Sequence, residues 1–285
     1  MTKNQLIATL QELGIKPNKG LGQNFLIDKN ILAKIVATAE IEAGDRVLEI
    51  GPGLGVLTQA LITAGASVTF IEKDSKLFNY LSTLLSPVNG GGMSRGIAGQ
   101  REGDAAKTDF NDLMGPKPWK FVSNLPYSIT SIALRKALYC DNPPQLLVAL
   151  IQKEVAERIL AKDKKAEVSL LSLMSYLACS DIKIIHKVSS TCFYPPPKVE
   201  SAIIKMIPMP PQERIKKWGI DPEAVMKIAK QGFAHPRKLL GRNLNLPASQ
   251  WQSLAEKLNI NPKARAEDLS VNDWANLGKY FNAEY

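Results

Sequence analysis

The sequence predicts an α/β protein in which a doubly wound, parallel sheet is followed by a small all-helical domain. Short apolar runs, such as RVLEI at 46–50, alternate with amphipathic segments such as VLTQALITAG, a pattern typical of parallel strands joined by helical crossovers. The proline-rich stretch PMPPQ at 208–212 breaks any regular element. The chain beyond it has helical spacing and no convincing strand. We therefore expect one domain at residues 1–208 and a second at residues 212–285.

Six apolar runs mark the expected strands. They are RVLEI at 46–50, SVTFIE at 67–72, KFVSN at 120–124, LLVALI at 146–151, IKIIHKV at 182–188 and AIIKMI at 202–207. The stretch at 86–104 is rich in glycine and has no β-branched run where the third strand of such a sheet would fall. We expect a flexible loop there, with a short or irregular strand just before Asp104.

The bulk composition is that of an ordinary soluble globule. Of the 285 residues, 45% are hydrophobic and 22% are charged, and no stretch reaches the roughly 18 apolar residues that span a bilayer. Polar and acidic residues interrupt the apolar positions of the N-terminal segment, which argues against a signal peptide and leaves the cytoplasm as the expected location. Three widely spaced cysteines and two histidines predict neither a disulfide framework nor a metal site.

The formal net charge of +9 is concentrated late in the chain. Residues 205–265 contain twelve Lys or Arg against four Asp or Glu, whereas residues 1–204 contain 23 against 19. A concentrated positive field attracts a phosphate backbone, so RNA or DNA is one candidate partner. A well-solvated surface that keeps the protein soluble is the alternative.

A glycine-rich turn follows the first predicted strand. In VLEIGPGLGVLT, Gly51, Gly53 and Gly55 lie between a strand and a helix, where a turn without Cβ atoms can approach a ligand closely. Glu72 ends the next strand, at a spacing that suits a carboxylate binding ribose hydroxyls. A nicotinamide cofactor normally requires GxGxxG, whereas GxGxG preceded by Glu49 is similar to the S-adenosylmethionine turn of class I methyltransferases. A tight turn without a ligand remains the structural alternative.

Asp104 follows the position of the third strand. In a methyltransferase its carboxylate would accept a hydrogen bond from the adenine amino group of the cofactor, with the amide of Ala105 nearby. A surface carboxylate on a loop is the alternative.

The stretch NLPY ends the strand at 120–124. The side-chain carbonyl of Asn124 and the main-chain carbonyl of Leu125 provide two acceptors that suit an exocyclic NH₂ group. Pro126 stiffens the turn, and Tyr127 offers a flat face on which a base can stack. The alternative is a strand cap and a rigid turn with Tyr127 in the core, but the position at the same sheet edge as the glycine turn favours a functional role.

The sequence resembles the ribosomal RNA adenine dimethyltransferases of the small subunit. The segments that carry the resemblance occur in order and are NKGLGQNFLIDKN, EIGPGLGVLT, IEKD, NLPY, QKEVAERI and FYPPPKVESA. The resemblance covers nearly the whole chain. It implies a Rossmann-like methyltransferase sheet domain followed by a small C-terminal all-helical domain that binds RNA. It also implies transfer of two methyl groups from S-adenosyl-L-methionine to each of two adjacent adenines in a loop near the 3′ end of 16S ribosomal RNA.

The same resemblance assigns roles to individual residues. Those implied to bind the cofactor are Gln23, Asn24, Leu26, Gly51, Gly53, Glu72, Asp104, Ala105 and Asn124. Asn124, Leu125 and Pro126 would form the segment at the target amine, and Tyr127 and Phe193 would sandwich the target base. No metal is implied.

The late segment QGFAHPRKLLGRNL resembles the C-terminal signature of that family. The resemblance implies that Arg237, Lys238 and Arg242 bind RNA, and that the partners of a monomeric protein are small-subunit ribosomal RNA and the immature small subunit. Three departures stand out: Pro236 where the family has a second arginine, no Tyr-Gly within KKAEVSLLSL, and the glycine-rich stretch before Asp104. They concern the RNA contacts and the third strand rather than NLPY.

Two other functions are compatible with these residues. One is the related large-subunit adenine methyltransferase that confers macrolide resistance; Leu125, where those proteins usually carry isoleucine, argues against it. The other is a non-catalytic RNA-binding assembly factor of the same fold. Intact NLPY and GQNFL argue against that function, because a binding module does not need an amide that orients an amine.

Overall fold

The computed structural model describes residues 1–18, 20, 22–85, 96–161 and 168–283. The chain forms two compact units. The sheet unit comprises Met1–Ala156 and Lys183–Pro208, and the helical unit comprises Glu157–Ile182 and Met209–Tyr285. Within the described residues, no helix is long and apolar enough to cross a membrane.

The strands and helices have the following bounds. The strands are β1 (Phe25–Leu26), β2 (Arg46–Ile50), β3 (Ser67–Glu72), β4 (Ile97–Glu102), β5 (Lys120–Asn124), β6 (Leu146–Gln152), β7 (Cys179–Val188), β8 (Phe193–Tyr194) and β9 (Ser201–Pro208). The helices are α1 (Lys3–Glu12), α2 (Lys29–Thr38), α3 (Val56–Thr63), α4 (Ser75–Leu84), α5 (Phe110–Met114), α6 (Thr130–Leu138), α7 (Lys153–Ile159), α8 (Leu170–Ala178), α9 (Pro211–Trp218), α10 (Pro222–Gly232), α11 (Leu240–Asn243), α12 (Ala248–Lys257) and α13 (Val271–Ala283).

The main sheet has the strand order β4-β3-β2-β5-β6-β9-β7. Strands β2 to β6 pair in parallel, and the order reverses between β2 and β5. The parallel pairing expected from the alternation of strands and helices does not extend to β9, which runs antiparallel to β6. Residues 189–200 between β7 and β9 are all described and contain no α-helix, so the crossover argument for parallel pairing does not apply there.

The near-continuous apolar runs of the central strands are explained by burial on both faces of the sheet. The first six residues of β6 are buried, as are the last four of β2. On one face, α2 and α3 contribute Ile35 and Leu61 to an apolar cluster that also contains Val148 of β6. This core holds the carboxyl ends of the parallel strands in fixed positions.

The third strand of the sheet is present and irregular. β4 lies at the sheet edge, pairs in parallel with β3, and shifts register between Val68 and Thr69 of that strand. Its residues are at most half-buried, so an edge strand can form from the polar sequence IAGQRE. Of the loop expected at 86–104, residues 86–95 lie outside the described residues.

The helical unit has its own apolar core, built around Val225 and Trp274. Leu173 and Leu177 of α8 are fully buried in this core. Residues 157–182, which we assigned from the sequence to the first domain, therefore cluster with the helices that follow Pro208. The division of the chain differs in this respect from the boundary expected at PMPPQ.

Candidate active site

A cavity of about 300 Å³ lies in the sheet unit at the carboxyl ends of the parallel strands. It opens where the strand order reverses, which is the usual ligand site of open α/β sheets. The residues predicted from the sequence that line it are Gln23, Asn24, Leu26, Gly51, Gly53, Glu72, Asp104, Ala105, Asn124, Leu125, Pro126 and Tyr127. The structure therefore brings together five stretches that are separated in the chain.

The glycine turn makes two close approaches that a side chain would block. Gly51 and Gly53 have φ values of +65° and +60°, which favour glycine. A Cβ atom on Gly51 would lie 2.9 Å from Cγ of Pro126, and one on Gly53 would lie 2.9 Å from Cε1 of Phe25. The turn is thus packed directly against NLPY on one side and against β1 on the other.

Glu72 is buried at the end of β3 and is held by two main-chain donors. Its Oε2 accepts a hydrogen bond from N of Gly53 at 3.1 Å, and its Oε1 accepts one from N of Asp74 at 2.9 Å. Burial raises the pKa of this carboxyl above its ordinary value, against the lowering effect of these hydrogen bonds. Each carboxylate oxygen has a second lone pair, so Glu72 can also accept hydrogen bonds from a ligand in the cavity.

Glu49 also lines the cavity. From the sequence, this residue was only part of the glycine-turn motif and was not predicted as a site residue. It is 1% exposed, and its Oε2 accepts a hydrogen bond from Oγ1 of Thr58 at 2.7 Å. The pKa of Glu49 is raised to about 8, mainly by burial and to a smaller extent by the nearby Glu72 carboxylate, against the lowering effect of the Thr58 hydrogen bond. An ionised carboxylate buried at this position would lack a counter-charge. A positively charged ligand would supply one, so the position of Glu49 complements a cationic group.

The side-chain amide of Asn124 is oriented by the loop that precedes β1. Its Nδ2 donates to the main-chain oxygen of Asn24 at 3.3 Å. Its Oδ1 has no hydrogen-bond partner within the described part of the chain. Because the donor end is held by a carbonyl, the acceptor end is available to a ligand.

Gln23 braces the same loop. Its Oε1 accepts from N of Asn18 at 2.8 Å, and its Nε2 donates to Oδ2 of Asp74 at 3.2 Å. Asp74 in turn caps α4, accepting from the main-chain N–H groups of Lys76 and Leu77. Both ends of the Gln23 amide are therefore engaged with the protein.

Ser123 is a structural residue of the site that the sequence did not reveal. It is fully buried, and its Oγ donates to the main-chain oxygen of Ile50 at 2.7 Å. The pairing between β2 and β5 begins at Val47 and Lys120 and ends at Leu48 and Phe121, so no ladder joins the two strands beyond that second pair. The Ser123 hydroxyl supplies a donor where the ladder has ended, and it fixes NLPY relative to the glycine turn.

Asp104 lies at the cavity wall between two donors. Its Oδ2 is 3.0 Å from Nζ of Lys73, and its Oδ1 accepts from N of Ala106 at 2.9 Å. The hydrogen bond from Lys73 is the main reason why the pKa of Asp104 is below its ordinary value, and the Ala106 amide adds to it. Asp104 is thus an anion beside the cavity, next to the buried Ala105.

The two predicted stacking residues occupy different environments. Tyr127 is half-buried and lines the cavity, and burial raises the pKa of its phenol. Phe193 is 2% exposed, faces Leu26 in the β1–β8 pair, and packs in the apolar cluster with Ile31. The structure brings Tyr127 to the cavity and does not bring Phe193 there.

The predicted RNA-binding residues belong to the helical unit. Arg237, Lys238 and Arg242 are all exposed. Their loop is tied down by Asn243, whose Nδ2 donates to the main-chain oxygens of Gly232 at 2.6 Å and His235 at 3.0 Å. The helical unit therefore presents Arg237 and Lys238 on a loop that is held by a buried amide, and Arg242 on the adjoining α11.

The fold and the cavity define a Rossmann-like, S-adenosyl-L-methionine-dependent methyltransferase. The cavity is at the lower end of the size range of small-molecule sites. The glycine turn lines the cavity, Glu72 suits a ribose diol, and Glu49 suits a cationic group. The residues present therefore fit this cofactor.

Comparison with known proteins identifies the family. The family described as ribosomal RNA adenine dimethylase matches residues 14–283. Small subunit methyltransferase A of Dehalococcoides mccartyi is 37% identical over 270 residues, which is 92% of this chain and 88% of that protein. The Nostoc sp. protein of the same name is 36% identical over 289 residues, 95% of this chain and 100% of that protein. The chain belongs to the ribosomal RNA adenine dimethylase family.

Two solved structures are similar to the whole fold. A dimethyladenosine transferase from Plasmodium falciparum has a TM-score of 0.73 and 27% identity, over 91% of this chain and 98% of that one. The 23S ribosomal RNA methyltransferase ErmE has a TM-score of 0.64 and 23% identity, over 91% of this chain and 100% of that one. At that identity, the second comparison bears on the fold alone.

Proposed function

We propose that this protein dimethylates the exocyclic amines of two adjacent adenines in a loop near the 3′ end of small-subunit ribosomal RNA. The observation that carries the proposal is the orientation of Asn124, whose Oδ1 is left available at the cavity by the hydrogen bond from Nδ2 to Asn24. The names of the relatives at 36–37% identity support the small subunit as the source of the RNA.

The amine of adenine is a poor nucleophile because its lone pair is delocalised into the ring. Asn124 Oδ1 and the Leu125 carbonyl can accept its two hydrogens and draw the nitrogen toward a pyramidal geometry. When bound, S-adenosyl-L-methionine supplies a methyl group already activated on a sulfonium. The remaining task of the protein is alignment and exclusion of water, for which a segment fixed by Ser123 and Pro126 is suited.

The cavity offers no histidine as a general base among the residues that the structure describes. Asp104 is paired with Lys73, and Glu72 is held by main-chain amides. A dimethylated or monomethylated ammonium product is acidic and can lose its proton to solvent. The reaction therefore needs no dedicated proton acceptor.

The helical unit serves to bind the RNA backbone. Arg237, Lys238 and Arg242 are exposed on and beside one loop, and cations of this kind hold phosphates without reading the sequence. Phe193 would join Tyr127 at the base only after leaving its buried position. In the present structure, the target base would therefore stack on Tyr127 alone. The expected partner is the immature small subunit, met by a monomeric protein in the cytoplasm.

A direct assay distinguishes the proposal from its alternatives. Purified protein is incubated with labelled S-adenosyl-L-methionine and with small or large subunits that lack the modification. We expect label in small-subunit adenine only. Label in large-subunit RNA would favour the resistance methyltransferase function, and binding without label would favour a non-catalytic assembly factor.

A further inference from the structure

We propose that Ser201 is a positioning residue that holds Tyr127 in the orientation needed to stack the target adenine. This inference rests on the proposed function and adds to it a residue on a different part of the chain. The two residues are 74 positions apart in the sequence, and both belong to the sheet unit.

The contact joins the far end of the Tyr127 side chain to a buried hydroxyl. Oη of Tyr127 lies 2.6 Å from Oγ of Ser201, which is fully buried. Tyr127 begins a single 3₁₀ turn directly after Pro126, so the backbone fixes only where the side chain starts. Two side-chain torsions remain. A hydrogen bond at the phenol fixes the position of Oη and so sets χ1, and because the phenol O–H lies in the ring plane, it also favours the ring orientation whose plane points at Ser201 Oγ.

Ser201 itself is held from two sides. It is the first residue of β9 and pairs with Gln152 in the antiparallel register with β6. The main-chain N of Lys153 donates to the main-chain oxygen of Glu200 at 3.0 Å. Moving the Ser201 backbone would therefore require breaking the end of a strand ladder, so χ1 is the only torsion left to the hydroxyl. The backbone is thus a rigid base from which Oγ can anchor a side chain at the cavity.

This arrangement has a consequence for the reaction. The hydroxyl of Tyr127 is used by Ser201, so the part of the ring that remains for a ligand is its face. Tyr127 lines the same cavity as Asn124, three residues earlier. A ring free to rotate would leave the base able to tilt relative to the Asn124 carbonyl, and small misalignments of reacting atoms are costly in rate.

The test is a double-mutant cycle with Ser201→Ala and Tyr127→Phe, each of which removes one hydroxyl and retains the rest of the site. Since a hydrogen bond of this type is worth about 0.5–1.5 kcal/mol, we expect each variant to lower kcat for adenine methylation about 2- to 10-fold. Cofactor affinity should change by less than about 2-fold, and the double variant should be no slower than the slower single variant.

A matched control separates positioning from the loss of any buried hydroxyl. Ser175 is also fully buried, and its Oγ donates to the main-chain oxygen of Leu171 in the helical unit. Ser175→Ala should leave kcat unchanged. A purely structural role for Ser201 would lower the melting temperature without changing kcat.

A wild-type kcat in Ser201→Ala would overturn the positioning role. So would a double variant whose loss of kcat equals the product of the two single losses, because the two hydroxyls would then act independently. Both outcomes leave the proposed function intact. If Ser201→Ala does not fold, wild-type kcat in Tyr127→Phe would overturn it equally. Absence of methyl transfer by the wild-type protein would instead contradict the proposed function. The outcomes of the two proposals are thus distinguishable.

Discussion

The side-chain Nδ2 of Asn124 donates to the main-chain oxygen of Asn24, 100 residues earlier in the chain. This hydrogen bond decides which end of the Asn124 amide is available at the cavity. Replacing Asn124 with Ala should lower methyl transfer by at least about 100-fold, since removal of a single preorganised polar group from a reacting centre has effects of that size.

Binding of the RNA is the control for the Asn124→Ala variant. Because the predicted phosphate-binding residues lie in the helical unit and phosphate contacts supply much of the affinity for RNA, affinity for immature small subunits should change by less than about 3-fold. Methyl transfer at the wild-type rate would contradict the role of Asn124 in orienting the amine.

Glu72 should determine cofactor affinity. Glu72→Gln retains one acceptor oxygen but replaces the other by an NH₂ group, which cannot accept from the Gly53 or Asp74 amide. We expect the affinity for S-adenosyl-L-methionine to fall about 10- to 100-fold, the usual result of losing a charged acceptor and leaving a buried donor unpaired. Isothermal titration calorimetry measures this directly.

The exposed Glu200 provides the matched control for Glu72, since it pairs with Lys153 outside the cavity lining. Glu200→Gln should leave cofactor affinity unchanged. Equal affinity in the Glu72→Gln and wild-type proteins would refute the ribose-binding role.

The stability of the cofactor-free protein should depend on pH through Glu49. The pKa of this carboxyl is about 8 in the folded protein against an ordinary value of 4.5, so between these values the folded state holds a proton that the unfolded state has lost. Stability therefore falls as pH rises through this window, by up to about 1.4 kcal/mol per pH unit from this group. Urea unfolding at pH 5, 6, 7 and 8 tests this.

Glu49→Gln should flatten that dependence, because an amide at this position does not titrate and can still accept from Thr58. A wild-type slope in the variant would show that the loss of stability comes from other groups.

The exposed cations of the helical unit should control RNA binding. The double variant Arg237→Ala and Lys238→Ala would remove two of the proposed phosphate contacts, so the magnitude of the slope of log affinity against log salt should decrease by about 2. Filter binding of immature subunits at several salt concentrations measures the slope, and cofactor affinity should not change.

Lys216 and Lys217 are also exposed in the helical unit, on α9. Replacing both with Ala removes the same charge and serves as the control. Equal loss of RNA affinity in the two double variants would indicate a general effect of charge rather than a specific surface.

Sequence reasoning succeeded where a property is local. The strands β2, β3, β5 and β6 were predictable because burial on both faces demands apolar runs. The cavity residues at the ends of these strands were predictable because parallel strands end at one sheet edge, whereas Gln23, Asn24 and Leu26 were expected only from the family resemblance. The run LLVALI and the stretch NLPY are examples.

It failed where a contact depends on the tertiary structure. Ser123 and Ser201 bond to partners 73 and 74 residues away, and no local pattern marks these serines. Apolar spacing in α8 indicates a buried face but not which core buries it, so the assignment of Leu173 and Leu177 to the helical unit could not be foreseen. The burial of Phe193 depends in the same way on its pairing with Leu26.

The most direct measurement is reverse-transcription mapping of small-subunit RNA after incubation with the protein and S-adenosyl-L-methionine. Dimethylation of the adenine amine blocks base pairing, so we expect stops at two adjacent adenines near the 3′ end with the wild-type protein and none with Asn124→Ala. Stops at any other nucleotide, or identical stops with the variant, would contradict the proposed function and its assignment to this site.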